Sequence, residues 1–328
     1  MVDGIAGVQL LQALLQIMKD AQEREPKEWH ARPGPGRIEL ARGELSHRVD
    51  GLRKLSHFMP RVRENLSGVR KLLQSGMKPT PRTLFTERDV SPYRRFDWTS
   101  FDLGEVKAIK NALGGTINDV VVATVTGAVR RFLFRRNQDV DSVEQFRTAL
   151  PVNIRQAGGP TVGNAVAMLL ADLPVSEQDP LRRLKRVTEI TTELKKESNQ
   201  TGGAALIEDI ADLTTKAIVS ELYKAAMELR SYNLIITNVP GPPMPLFMLG
   251  AEMHAIYPMV PLMRNQNLGI ALFSYNNGLH WGFNADWESF PDVPEFVEDL
   301  EAAFEEYTTL AAARAPEVPG SDETSART

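Results

Sequence analysis

The sequence contains no cysteine, so disulfide bonds, thiol catalysis and cysteine-ligated metals are excluded. It also lacks an apolar run of the roughly 20 residues that a membrane-spanning helix needs, and its first residues do not have the pattern of a secretory signal peptide. The formal charge of −4 at pH 7 gives no reason to expect nucleic-acid binding. With 42% hydrophobic and 24% charged residues, the composition predicts a soluble, cytoplasmic α/β protein.

The motifs of several enzyme classes are missing as well. There is no GxSxG elbow, no Walker phosphate loop and no GxGxxG turn, and the five histidines lack metal-ligand spacing, so we predict no metal site. His47 and Asp50 lie three residues apart on a predicted helix, which is more typical of an exposed ion pair than of an acid–base pair. His254 and His280 lie in strand-like stretches with apolar neighbours, which predicts structural histidines, although Asp286 follows His280 closely.

The most unusual stretch begins at Leu113 and reads LGGTINDVVVATVTGAVRRF. It places Asn118 and Asp119 beside a run of valine, alanine and threonine. A buried polar group without a partner costs roughly 1–3 kcal/mol, so these groups must be hydrogen-bonded or functional. The simplest interpretation is a buried helix with Thr116 or Asn118 as N-cap and Asp119 in its first turn, where the helix dipole favours a negative charge. The pattern predicts that this helix continues to about Arg136.

Strand-like and helix-like segments alternate around this stretch, which is typical of an α/β fold. We predict strands at residues 94–101, 145–154, 164–173, 233–237, 251–257, 268–275 and 279–285, and helices at 103–113, 180–196, 204–229 and 291–312. Asn276, Asn277 and Gly278 predict a tight hairpin with positive φ angles at its turn. Pro240 and the prolines after it predict that the strand at 233–237 ends there.

The first third of the chain has a different character. An amphipathic helix opens it, and the loops 25–43 and 75–92 flank a segment, 45–73, whose apolar residues recur every three or four positions. The polar face of that segment is basic, whereas residues 286–306 are strongly acidic. The two charged faces could pair with each other. Alternatively, the basic face could attract anionic lipid headgroups or the phosphates of a ligand.

Several segments share their order and spacing with one family. They are the stretch that begins at Leu113, PVNIR at Pro151, the pair Gly163-Asn164, TNVPGP at Thr237 and the closing YNNGLHWGFNADWESFPD. In this combination the chain resembles the bacterial wax ester synthase/acyl-CoA:diacylglycerol acyltransferases, and the stretch at Leu113 resembles their Asn-Asp motif. The resemblance covers nearly the whole chain, from Asp3 to about Tyr307.

The resemblance implies a fold similar to that of chloramphenicol acetyltransferase and other CoA-dependent acyltransferases. Such an α/β fold has two related lobes with the active site between them. Residues 1–92 would be the remnant of the N-terminal lobe with crossover helices and loops, so the first lobe would be incomplete. Residues 93–313 would form the C-terminal lobe, and residues 314–328 a disordered tail.

The resemblance also implies O-acyl transfer from a long-chain acyl-CoA, as co-substrate, to diacylglycerol or a long-chain alcohol, without a tightly bound cofactor. The family's catalytic signature is H-H-x-x-x-D-G, in which the second histidine is the general base. Such a base contributes roughly 10²–10⁴-fold by removing the hydroxyl proton. Asp3 and Gly4 match only the last two positions, and the histidines would fall before Met1. We therefore expect little activity from this chain alone.

By the same resemblance, Asp3 would orient the histidine side of the site. Asn118 would hold the thioester oxygen or the site geometry as a preorganised donor. Asp119 is expected to be structural, bonding helix amides or a nearby basic group. The alternatives left open are a misassigned start and a non-catalytic remnant that binds lipid surfaces or a partner through the basic segment.

The expected partners are acyl-CoA and a lipid acceptor, and no nucleic acid. We expect a cytoplasmic protein that is peripheral to the inner face of the membrane or to lipid inclusions. An apolar surface exposed where the rest of the first lobe should pack would also favour self-association.

Overall fold

The computed structural model describes residues 4–15, 17–19, 34, 36–40, 42–43, 46, 80–86, 88–143, 145–153, 166–201 and 231–314. Several predicted features lie outside the described residues: Asp3, the basic segment after Ser46, Gly163-Asn164, the helix at 204–229 and the tail after Arg314.

The described elements follow the predicted alternation closely. The helices are α1 (Gly4–Leu14), α2 (Leu103–Leu113), α3 (Ile117–Arg135), α4 (Pro180–Thr201) and α5 (Val293–Arg314). The strands are β1 (Arg94–Asp102), β2 (Arg147–Asn153), β3 (Val166–Asp172), β4 (Leu234–Pro240), β5 (Phe247–Met248), β6 (Ala251–Glu252), β7 (Leu268–Tyr275) and β8 (Gly278–Asp286).

Six of the described strands form one mixed sheet in the order β1-β8-β7-β4-β2-β3. β4 lies parallel to both β7 and β2, while the pairs β1–β8, β7–β8 and β2–β3 are antiparallel. The predicted hairpin between β7 and β8 is confirmed, because Asn276 and Asn277 form its turn with φ angles of 44° and 65°. The carboxyl ends of β1, β7 and β4 consequently lie at the same edge of the sheet.

Helix α3 is the central buried element of the helical layer. Its valines and alanines pack into the main hydrophobic core, together with side chains of β7, β8 and α5. A Cβ atom on Gly127 would lie 3.0 Å from Cβ of Ala303 in α5, so a side chain there would crowd the contact between the two helices. Four phenylalanines, Phe85, Phe132, Phe290 and Phe296, fill the far end of this layer with their rings in contact.

Arginines of α3, together with Arg136 directly after it, form ion pairs with the acidic face of α5. Arg135 lies 2.6 Å from Asp299, Arg136 lies 2.9 Å from Glu295, and Arg131 pairs with Glu306. Burial raises the pKa of Asp299, against the lowering effect of Arg135. These pairs account for much of the acidic face through described residues, whereas the predicted pairing with the basic segment lies outside them.

Two predicted strands differ from the observed ones. β4 does not end at Thr237 but pairs with β7 as far as Pro240, whose missing N–H is tolerated because it occupies the last position of the strand. The predicted strand at 251–257 is reduced to Ala251–Glu252. The chain after it crosses the face of the sheet so closely that a Cβ atom on Gly282 would lie 2.0 Å from the carbonyl oxygen of Pro258.

Among the described residues, no single helix is long and apolar enough to cross a membrane. Helices α2 and α3 reach the length and hydropathy of a membrane span only when they are taken together. The two helices meet at an angle of 94°.

Candidate active site

The start of α3 depends on two glycines with backbone angles that other residues rarely adopt. Gly114 has φ 91° and Gly115 has φ 83°, and together they turn the chain from α2 into α3. A Cβ atom on Gly115 would lie 2.9 Å from the hydroxyl of Thr188 and 3.3 Å from the side chain of Asp119, so α4 also packs closely here. The turn brings the first residues of α3 to the carboxyl end of β4.

Thr116 caps this helix, and it was one of the two N-cap candidates, with Asn118, that the sequence indicated. The backbone N–H of Asp119 donates to the Thr116 hydroxyl oxygen at 3.2 Å, and the backbone N–H of Thr116 donates to the Asp119 carboxylate at 2.8 Å. This reciprocal pair is a capping box, which satisfies two backbone donors that a helix start otherwise leaves without partners.

The carboxylate of Asp119 also joins two helices. Only 1% of the residue is exposed, and its Oδ1 atom accepts a hydrogen bond of 2.6 Å from the hydroxyl of Thr191 in α4. Its Oδ2 atom accepts from the Thr116 hydroxyl at 2.9 Å. Asp119 therefore bonds a helix amide and two threonine hydroxyls, and these contacts hold α3 against α4.

Asn118 lies on the same turn but faces outward. Its side-chain oxygen accepts a hydrogen bond of 2.7 Å from the side-chain amide of Asn238, near the end of β4. An asparagine amide has one acceptor oxygen and two N–H donors. The oxygen of Asn118 accepts the bond from Asn238, so its N–H donors are the groups that this bond leaves for an incoming molecule.

Asn118 and Asn238 line the mouth of a narrow pocket of about 40 Å³, between α3, α4 and the strands β2, β3 and β4. Most of its wall is apolar: Val121, Val122, Leu150, Pro151, Val152, Leu169, Leu194 and Ile236. Lys195 and the buried Asp119 are the charged side chains of this lining. A few water-sized groups fill this volume.

The sequence motif TNVPGP contained Asn238, but sequence reasoning did not single this residue out. The signal was an asparagine in a largely apolar strand, directly before a Val-Pro pair. Asn238 could not be assigned to the candidate site from the sequence alone. That assignment requires the position of β4, which depends on its parallel pairing with β7.

The remaining predicted site residues are placed only in part. Gly4 is the first residue of α1, and Asp3 lies outside the described residues. Val8 and Leu11 of α1 pack in the same apolar cluster as Val239, the neighbour of Asn238. The helix that follows the Asp-Gly pair thus packs beside the strand that carries Asn238.

The described histidines are separate from this pocket. The Nδ1 atom of His280 lies 2.8 Å from the Ser100 hydroxyl, and burial lowers the pKa of the imidazole. Asp286, at the opposite end of β8, accepts hydrogen bonds from the backbone N–H groups of Ser91 and Ser289 and does not partner His280. The bond to Ser100 agrees with the structural role predicted for His280, but the Nε2 atom is buried without a hydrogen-bond partner among the described residues, so this role stays a prediction.

His254 was predicted to lie in a strand, and this is wrong, because the residue follows the short strand β6 and is exposed. The other three histidines lie outside the described residues. Among the residues that the structure describes, no three histidine, aspartate or glutamate side chains come together as a metal site would require.

Comparison with known proteins supports one family. Residues 1–121 match the profile of the wax ester synthase/diacylglycerol acyltransferase catalytic domain, and residues 162–308 match that of the WS/DGAT C-terminal domain. The O-acyltransferase WSD of Acinetobacter baylyi is 28% identical over 311 residues, which cover 92% of this chain and 66% of that protein.

Solved structures agree with the predicted fold. The wax ester synthase/diacylglycerol acyltransferase from Marinobacter aquaeolei VT8 has a TM-score of 0.64 at 22% identity, covering 95% of this chain and 66% of that chain. The epimerization domain from the third module of tyrocidine synthetase B has a TM-score of 0.52 at 13% identity. This match covers 95% of this chain and 68% of that chain. The predicted acyltransferase-like α/β fold is confirmed, and the chain spans about two thirds of the length of these relatives.

Proposed function

Because the chain belongs to the wax ester synthase/diacylglycerol acyltransferase family, we propose that it acts in O-acyl transfer from a long-chain acyl-CoA to diacylglycerol or to a long-chain alcohol. The observation that supports this most directly is the amide pair Asn118–Asn238, at the mouth of a pocket beside the buried Asp119. Acyl-CoA is the co-substrate, and the reaction needs no tightly bound cofactor.

In this reaction the acceptor hydroxyl oxygen attacks the thioester carbonyl carbon, and the carbon–sulfur bond breaks. The hydroxyl proton passes to a histidine and from there to the CoA sulfur, so that an ester and free CoA are formed. Negative charge develops on the carbonyl oxygen in the transition state. The side-chain N–H donor of Asn118 stabilises that charge, and Asn238 holds the amide in the donating orientation.

Asp119 has a positioning role in this proposal. Its bonds to Thr116 and Thr191 fix the first turn of α3, so Asn118 needs no rearrangement when charge develops. Asp3 and Gly4 would belong to the facing wall, which the general-base histidine would complete. Residues 1–328 contain no histidine at the two signature positions, and we therefore propose that this polypeptide alone turns over slowly or not at all.

We propose in addition that the protein works at the inner face of the membrane or on lipid inclusions. Diacylglycerol and long-chain alcohols are both poorly soluble in water, so an enzyme that uses them benefits from contact with the phase that dissolves them.

The test is acyl transfer from radiolabelled palmitoyl-CoA to dioleoylglycerol and to hexadecanol, measured for two proteins. One is residues 1–328, and the other begins upstream of Met1 in the same reading frame, so that it includes any histidine pair encoded there. We expect turnover only from the extended protein. Robust turnover by residues 1–328 would refute the missing-base argument. An extended protein that contains the pair but acylates neither acceptor would refute the proposed reaction.

A further inference from the structure

The strand that carries Asn238 loses one of its two neighbours before it ends. Within the described residues β2 pairs with the first two positions of β4, Leu234 and Ile235, whereas β7 pairs with β4 as far as Pro240. The pocket of the candidate active site lies beside the point where the pairing of β2 with β4 ends, since both strands line it. Beyond Ile235, the described part of the sheet therefore holds β4, and with it Asn238, from the β7 side alone.

Prolines limit how β7 can hold the chain where β4 ends. Residues 240–243 read PGPP, and proline has no backbone N–H. Gly241 therefore has the only backbone N–H group of these four residues. That group donates to the side-chain oxygen of Ser274 at 3.1 Å. A side chain of β7 thus accepts the one hydrogen bond that the backbone can still donate here.

The turn after β4 lies directly against β7. A Cβ atom on Gly241 would lie 2.3 Å from the carbonyl oxygen of Ser274 and 2.4 Å from the ring of Phe273. The carbonyl oxygen of Pro242 accepts a hydrogen bond of 3.2 Å from the backbone N–H of Asn276. The turn therefore has a defined position on β7, and of these two bonds the one to Ser274 is nearer along the chain to the candidate site.

We propose that Ser274 is a positioning residue of the candidate active site. By accepting the bond from Gly241 it fixes the end of β4 and keeps the amide of Asn238 within hydrogen-bond distance of Asn118. That bond is 2.7 Å long. A displacement of β4 by about 1 Å would lengthen it beyond the usual limit of about 3.2 Å. The proposal rests on the proposed function for its effect on catalysis, whereas its structural part does not depend on the reaction.

The simpler role for the Ser274 hydroxyl is to satisfy one backbone donor and stabilise the turn. The loss of one neutral hydrogen bond has a small effect on the position of a strand that is paired on both sides. Here the described sheet holds the end of β4 from one side, and the prolines supply no second donor. Loss of the bond should therefore act on the position of Asn238 as well as on stability.

The structural part is tested by nuclear magnetic resonance on residues 1–328 labelled with nitrogen-15 at asparagine. The side-chain amide signals of Asn118 and Asn238 are assigned from their loss in the variants Asn118→Ala and Asn238→Ala. We expect Ser274→Ala to shift both signals, and Ser274→Thr, which keeps a hydroxyl acceptor, to leave them in place. The matched control is Ser100→Ala, because Ser100 is a serine of the same sheet whose hydroxyl contacts a different side chain, His280. This control should shift neither signal.

The catalytic part is tested in the extended protein that includes the histidine pair. We expect Ser274→Ala to lower kcat about fivefold and to leave KM for palmitoyl-CoA within about threefold of the parent, because the Asn118 donor acts on the transition-state charge. Ser274→Thr should restore kcat, and Ser100→Ala should leave it unchanged. In the Asn238→Ala background, Ser274→Ala should cause no further loss of kcat, since both residues act through Asn118.

Two results would overturn the proposal. Unchanged amide signals of Asn118 and Asn238 in Ser274→Ala would show that the bond to Gly241 does not position them. A loss of kcat in the Asn238→Ala background as large as that in the parent would show that Ser274 acts by another route. An extended protein without any turnover would count against the proposed reaction, while the amide signals would still decide the positioning role.

Discussion

Asn238 donates its side-chain amide to the side-chain oxygen of Asn118 across 2.7 Å, and this bond joins the end of strand β4 to the first turn of helix α3. The two residues are 120 positions apart in the chain. The bond has a direction: Asn238 is the donor and Asn118 the acceptor. In the proposed reaction this direction leaves the N–H donors of Asn118 for the substrate, and it can be reversed by substitution.

Asn238→Asp should be more harmful than Asn238→Ala. An aspartate cannot donate to the Asn118 oxygen but accepts from the Asn118 amide, so it would turn the donor away from the pocket. Alanine only releases the amide. We expect kcat of the histidine-containing protein to fall about tenfold for Asn238→Ala and about 100-fold or more for Asn238→Asp, in line with the loss of one transition-state donor.

The control for this comparison is binding of a non-reactive palmitoyl-CoA thioether to residues 1–328, measured by calorimetry. Both variants should bind it within about threefold of the parent, because the Asn118 donor acts mainly on the transition-state charge. Equal kcat for the two variants would contradict an orienting role for Asn238.

Asp119 and Thr191 should be energetically coupled. Thr191→Val removes the 2.6 Å hydrogen bond to the buried carboxylate of Asp119, and Asp119→Asn weakens the same bond and the capping box. Hydrogen bonds to charged groups contribute about 1.5–3 kcal/mol, so each change should lower the free energy of unfolding by about 2 kcal/mol. The double variant should lose less than the sum of the two changes.

Thr124→Val is the matched control for this cycle, measured by urea denaturation. Thr124 is equally buried in α3, but its hydroxyl bonds the carbonyl oxygen of Val120 in its own helix. Such a bond contributes little to helix stability, so this variant should lose less than about 1 kcal/mol. Strict additivity of Asp119→Asn and Thr191→Val would show that the bond does not contribute to stability.

Gly114 and Gly115 form a natural pair for separating backbone strain from side-chain crowding. Both have positive φ, but a Cβ atom on Gly114 would meet nothing within 4 Å, whereas one on Gly115 would lie 2.9 Å from the Thr188 hydroxyl. Gly114→Ala should therefore cost only the strain of its backbone angles, about 1–3 kcal/mol. Gly115→Ala should cost more and should also lower kcat, because the neighbouring Asp119 must move. Urea denaturation and initial rates measure the two effects.

Much of this fold could be predicted from local patterns in the sequence. The start of α3 could be predicted to within two N-cap candidates, Thr116 and Asn118, and the hairpin at Asn276 and Asn277 from the backbone preference of asparagine. The prediction of a strand at residues 251–257 was wrong, because apolar content alone does not distinguish a sheet strand from a segment that packs across the sheet. Only the contact of Pro258 with Gly282 makes that distinction.

The candidate site was predictable in its chemistry and not in its geometry. Asn118 was expected to be a donor, but the partner that orients it comes from a strand whose position depends on long-range parallel pairing. Asp119 was expected to bond helix amides or a basic group, and the second helix bound through Thr191 was not foreseen. The role of Asp3 and the division into lobes at residues 92 and 93 stay predictions.

His280 should make the stability of the protein dependent on pH. The residue is 7% exposed, and burial lowers the pKa of its imidazole below the ordinary value of 6.5. The unfolded chain then binds a proton at a higher pH than the folded protein does. Stability contributed by the neutral imidazole is complete above about pH 6.5 and is lost as the pH falls from there through the folded pKa, with a slope of at most about 1.4 kcal/mol per pH unit.

Comparison of the parent chain with His280→Asn by urea denaturation between pH 7.5 and pH 5 measures this contribution. Asparagine retains a polar group for Ser100 but does not titrate, so the variant should be less stable at pH 7.5 and should lose less stability on acidification. Asp286, whose pKa is lowered from 3.8 by hydrogen bonds from Ser91 and Ser289 despite its burial, titrates below this range and should not contribute. Parallel stability curves for the two proteins would place the pH dependence at another group.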